Sequence, residues 1–181
     1  ECTREAAFGE FPVTLWRGVW RRSTVSATGL LNEKLPRWND VEYALRLAAL
    51  RPTCCQVPAT LYFQRSHNQA RINDMRFNSE GIQPGLAALK SGEQALRNRG
   101  EQESDSWYNM RAFYFMVLQS ALRNGTKKEV KRTLRGAIRH SRDGMPTWTL
   151  KLLDVFCMVF GVYPARKLFE LYTRFPLGLN R

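Results

Sequence analysis

Sulfur and imidazole are scarce in this chain. Four cysteines (Cys2, Cys54, Cys55, Cys157) and two histidines (His67, His140) are spread over 181 residues. No CxxC spacing occurs, and the adjacent Cys54 and Cys55 cannot easily bridge each other, which argues against a disulfide framework or a zinc module. Reduced thiols and a cytosolic setting fit this usage. With so few imidazoles, a multi-histidine metal site is excluded. No segment reaches the ~18–20 apolar residues of a membrane span. The nearest, residues 150–163, is shorter, contains Asp154 and reads as a buried helix. GxxxxGK[ST] and GxGxxG phosphate loops are missing, as are HExxH and a GxSxG elbow. The first residue is Glu1, without a signal peptide before it, and the chain reads as beginning mid-protein.

Positive charge is what the chain has in excess. The net charge is +12, carried by 28 Lys and Arg against 16 Asp and Glu. Residues 1–75 hold 10 basic and 7 acidic side chains, a net of +3; residues 76–181 hold 18 and 9, a net of +9. Such a field favours an anionic partner, although a solvated basic face also serves solubility alone. The most basic stretch, residues 127–142, is an amphipathic pattern that could lie on anionic lipid or bind nucleic acid. Base-stacking aromatics are not interleaved with it, which argues against single-strand binding.

Along the chain, residues 13–19 read as a short strand or a helix start, and Gly29 as part of a turn. Asn39 or Asp40 is a suitable helix N-cap, and Val41, Leu45, Ala48 and Ala49 recur at helical spacing before Pro52. Glu42 in the first turn suits the helix dipole. Residues 56–64 are rich in β-formers, with Pro58 near the start. Residues 66–73 read as a polar loop. Beyond residue 74 the texture becomes helical. Helices are expected over 82–99, 106–123, 127–140, 147 to about 160 and 165 to about 173, with Gly125 and Thr126 as caps. The boundary between the two parts falls at 74–82, giving units of 1–74 and 75–181.

Within residues 29–69 the segments Gly29-Leu30-Leu31-Asn32-Glu33, Asn39-Asp40-Val41-Glu42 with Arg46-Leu47, Val57-Pro58 and Tyr62-Phe63-Gln64-Arg65-Ser66-His67 follow one another in close order, and together they resemble the acceptor-side half of family 2 glycosyltransferases of the GT-A fold. Gly29-Leu30-Leu31-Asn32-Glu33 is similar to the family's G-[LFW]-x-[DN]-E segment. Asn39-Asp40-Val41-Glu42, followed by Arg46-Leu47, is similar to E-D-x-[ED]-L-x-x-R-L. Val57-Pro58 and the run Leu61-Tyr62-Phe63-Gln64-Arg65-Ser66-His67 resemble the strand that leads into Y-x-R-x-H. Trp20-Arg21-Arg22 is similar to the basic residues that often precede the first segment. The match spans roughly residues 13–70, with two departures: Asn39 stands where the family usually has Glu, and the family's nucleotide-binding half is absent.

The resemblance implies an α/β fold, the C-terminal portion of a GT-A-like domain over 1–74, followed by a mainly α-helical basic extension over 75–181. It implies an inverting hexosyltransferase-like enzyme that moves a sugar from a nucleoside-diphosphate sugar to a hydroxyl of a glycan or lipid-linked acceptor, in cell-envelope polysaccharide synthesis. Asp40 is then the general base. Trp38, Asn39, Glu42 and Arg65 support the acceptor and donor sites, and His67 lies near the metal. A divalent cation, Mn or Mg, is bound mainly by a nucleotide-binding half that is missing here along with its Asp-x-Asp motif, so the fragment alone is expected to be inactive. The expected location is cytoplasmic, with peripheral contact at the inner, anionic face of a membrane and no nucleic acid partner. The alternative is a non-catalytic basic helical module that binds anionic membrane or nucleic acid through residues 127–142.

Overall fold

The structure is a computed structural model that describes residues 19–53, 79–102, 104–142 and 145–174. Among the described residues the chain forms α1 (Arg22–Thr28), α2 (Asn39–Ala49), a single 3₁₀ turn (Ser79–Gly81), α3 (Ile82–Arg97), α4 (Asp105–Asn124), α5 (Lys127–Arg139), α6 (Met145–Phe160) and α7 (Val162–Arg174). No strand occurs among them.

This overturns the α/β, partial GT-A-like fold expected above. The described residues of both parts are helical, and helix packs on helix with no sheet between. The β-rich stretch 56–64, the residues 13–18 and the loop 66–73 lie outside the described residues. The turn expected around Gly29 is instead the end of a helix, and the chain turns only later, at residues 33–34, where the Leu35 N–H bonds the Asn32 carbonyl. Gly29, with φ at 83°, closes that helix in a conformation open chiefly to glycine.

The helices form because their apolar residues recur every three or four positions. In α3 the inward stripe is Ile82, Leu86, Leu89 and Leu96. In α4 it is Trp107, Met110, Tyr114, Val117, Leu118, Ala121 and Leu122, a face broad enough for two neighbours. Sequential helices pack on one another from α2 to α7, and α7 folds back onto α4, where Phe115 and Phe169 stack at 6.3 Å. Leu45 of α2 and Leu118 of α4 belong to the same apolar core, so the parts on either side of residue 74 share one interior. Burying each such leucine contributes roughly 1.5–3 kcal/mol.

Local signals set the helix ends. The Ser104 hydroxyl accepts the Trp107 N–H at the start of α4. Thr126 and Glu129 form a reciprocal capping box on α5, and the Gly125 N–H closes α4 on the Ala121 carbonyl. Helix α2 stops two residues before Pro52 expectations would require, because Arg51 turns left-handed at φ 51° and its N–H bonds the Ala48 carbonyl.

Helix α6 departs from its expected burial. Leu150, Leu153 and Cys157 face the core, yet Trp148, Leu152, Val155 and Val159 on the opposite side are more than half exposed. Among the described residues no helix is long and apolar enough to cross a membrane.

Candidate functional site

Asp40 occupies the first turn of α2, partly exposed, where the helix dipole favours a negative charge. Its Oδ1 accepts the Val41 N–H at 2.8 Å, and no described residue bonds its Oδ2. Asn39 uses its own Oδ1 to accept the Asp40 N–H at 2.8 Å. Neither side chain therefore caps the helix as expected. The cap position belongs to Trp38, whose backbone is left-handed at φ 66° and ψ 8°. A bulky residue there is strained by roughly 1–3 kcal/mol, so its surroundings must hold it. They do so by seating the indole against α3, where Gly85 leaves room: a Cβ at that position would lie 3.2 Å from the ring. Trp38 thus anchors the turn that presents Asp40, with its ring half-buried against the core rather than spread toward solvent.

Beneath this turn, Glu42 is buried at 2% exposure. Arg46 donates to both of its carboxylate oxygens, Nε to Oε1 at 2.8 Å and Nη2 to Oε2 at 3.0 Å. The Ser91 hydroxyl of α3 donates to Oε1 at 2.6 Å. Arg46 also donates to the backbone carbonyls of Thr28 and Leu30, the latter at 2.8 Å. One guanidinium therefore ties the loop after α1 to α2. A bidentate pair with these extra acceptors satisfies two charges that would otherwise be costly to bury. In this setting Glu42 braces the site from below.

Arg65 and His67 lie outside the described residues, so the expected convergence of Asp40 with them is not described here. Among the described residues no group of three His, Cys, Asp or Glu side chains is placed to hold a metal ion.

A second ionisable cluster escaped sequence reading. His140, fully buried, presents Nδ1 to the Trp107 carbonyl at 2.7 Å and Nε2 to Glu93 Oε1 at 2.8 Å. The Tyr114 hydroxyl donates to the same Oε1 at 2.5 Å, and Arg139 reaches Oε2 at 3.1 Å. Both imidazole nitrogens face an oxygen within hydrogen-bond distance, so the ring is held in one orientation. Burial pushes the Glu93 carboxyl up, but the bonds from His140 and Tyr114 and the charges of His140 and Arg139 outweigh it and hold the carboxyl below its ordinary value. Burial, then Glu93 itself, pushes the Tyr114 phenol well above its usual range. The imidazole lies between Trp107 and Tyr114, with ring centroids at 4.1 and 5.3 Å. With His140, Glu93 and Tyr114 buried and Arg139 covering the cluster from the exposed side, it locks α3, α4 and α5 together. One signal was present: Glu93 sits at an inward position of an otherwise apolar stripe, and a carboxylate there requires a buried donor.

Cys157 is the remaining buried titratable group of note. Burial, with the charge of Asp154 adding and that of Lys127 opposing, pushes its thiol up to about 11.

Comparison with protein-family models, curated proteins and solved structures found no match to this chain.

Proposed function

We propose that the chain is the acceptor-side portion of an inverting glycosyltransferase that uses a nucleoside-diphosphate sugar, with Asp40 as general base. The observation that carries the reading is the placement of the Asp40 carboxylate. One oxygen is fixed by the Val41 N–H, and the other is left without a partner among the described residues on a partly exposed helix start. A base must have a free lone pair within reach of the substrate proton and a fixed direction. The strained Trp38 and the Arg46–Glu42 brace supply that fixed direction.

In the proposed reaction a glycan or lipid-linked acceptor presents a hydroxyl to Asp40 Oδ2. The carboxylate takes the proton as the oxygen attacks the anomeric carbon, and the nucleoside diphosphate leaves from the opposite face. A divalent cation, Mn or Mg, would neutralise the departing diphosphate when bound, held mainly by a nucleotide-binding part outside these residues with His67 nearby. Trp38, Asn39, Glu42 and Arg65 support the acceptor and donor sites. The proposed location is cytoplasmic and peripheral to the membrane.

The test is Asp40→Asn in the longest form of the protein that its gene encodes, assayed with a panel of nucleoside-diphosphate sugars for release of the nucleotide. Loss of a general base is worth roughly 10²–10⁴-fold, so transfer should fall by at least that lower figure while the melting temperature stays within a degree or two. Retention of more than about a tenth of the rate removes Asp40 from the role.

A further inference from the structure

We propose that the outer face of α6, continued by the start of α7, docks in the plane of an anionic lipid bilayer. The inference stands independently of the role of Asp40.

Trp148, Leu152, Val155 and Val159 recur at intervals of four, three and four, which places them on one face of α6. Trp148 and Val159 are each 66% exposed, and Phe160 and Tyr163 extend the patch at 62% and 71%. The opposite face, Leu150, Leu153 and Cys157, is already buried in the core. A helix with apolar residues on two opposite faces belongs between two apolar phases, and the protein interior supplies only one. With 16 residues, α6 extends about 24 Å and cannot span a bilayer, but it can lie along the interface.

The charge pattern names the second phase. Lys151 is the cation within the stripe, with its ammonium 5.9 Å from the Trp148 ring, so its stem can follow the apolar surface while its head stays among phosphates. Asp154, the acid of α6, lies off the stripe and acts on Cys157 instead. Lys167 is exposed on α7 beside exposed Leu168. Trp148 and Tyr163 stand at the two ends of the patch, and such side chains favour the headgroup level. A second copy of the chain fits poorly, because each copy brings a net charge of +12 and a lysine to the contact. The basic helix α5 cannot provide the apolar contact in its place. Its Val130, Leu134 and Ala137 are spent in the core, leaving Lys128, Arg132 and Arg135 as a purely electrostatic face.

Vesicle co-sedimentation tests this, using phosphatidylcholine with and without phosphatidylglycerol. The unaltered chain should bind the anionic vesicles and bind more weakly as salt screens the charges. The Leu152→Glu/Val159→Glu variant should lose about tenfold or more in partitioning, with unchanged helix content by circular dichroism, because both positions are exposed. Lys151→Glu should weaken binding to anionic vesicles and leave neutral ones unaffected. Equal binding by the double variant overturns the proposal. So does a parent chain that ignores vesicles while the double variant converts a dimer to a monomer, which would assign the face to a second copy. A parent that ignores vesicles and a double variant that melts lower would also overturn it, assigning the face to another segment of this chain.

Discussion

Two buried glutamates solve the same problem in opposite ways. Glu42 lies at the periphery, 2% exposed, and is neutralised mainly by a residue one turn along its own helix, Arg46. Glu93 lies between helices, and its partners Tyr114, Arg139 and His140 stand 21, 46 and 47 residues away. The first pair is local and reaches outward to hold a loop; the second is non-local and holds the bundle. Their escape routes also differ. The Arg46 side chain is 21% exposed and can turn to water if its partner is lost, whereas His140 at 0% cannot. The sequence distance of a partner, and its access to solvent, decide whether a buried charge is a brace or a lock.

Removing Glu93 should therefore be the most damaging of the following changes. Glu93→Ala strands the His140 imidazole and the Tyr114 hydroxyl in the core and should cost about 3–5 kcal/mol by urea denaturation. Glu42→Ala should cost less, about 1–3 kcal/mol, because Arg46 can rehydrate while Ser91 loses one bond. If the two losses are equal, the distinction between brace and lock fails. Tyr114→Phe removes one of the three donors to Glu93 and should cost about 1 kcal/mol, with the helical signal intact.

Acid sharpens the contrast further. The Glu93 carboxyl lies below its ordinary value of 4.5 in the folded state. Its contribution is thus complete above pH 4.5 and is lost as pH falls through the lower, folded value, since the unfolded chain binds the proton first. Melting temperature followed downward from pH 6 should decline below that point, and Glu93→Gln should flatten the decline. An equally steep fall in the variant would place the acid sensitivity elsewhere.

The difference between local and non-local partners also explains what the sequence disclosed. Helices α3, α4 and α5 were legible from apolar spacing, and Gly125 and Thr126 marked the junction of the last two, because these signals act within a few residues. The start of α2 at Asn39 and Asp40 was legible for the same reason, although Trp38 takes the cap position. The α/β assignment was not correct for the described residues. It rested on the β-formers of 56–64 and on a resemblance of short segments, and neither reports how helices farther along the chain will pack. The Glu93–His140 contact joins positions 47 residues apart, and no periodicity links them. The run 150–163 is too short for a membrane span and holds Asp154, which pointed to a buried helix, but a pattern in one dimension does not say which phase meets each side of α6.

The raised thiol of Cys157 gives α6 a chemical memory of its own position. Burial and the charge of Asp154 keep this sulfur mainly as the protonated thiol near neutral pH, so alkylating reagents and mild oxidants meet a slow-reacting sulfur while the helix is seated. Once α6 lifts away from the core, the sulfur returns to ordinary solvent and its reactivity rises by orders of magnitude. Covalent modification at this position therefore records how often the helix leaves its seat, and the adduct persists after the helix has closed again.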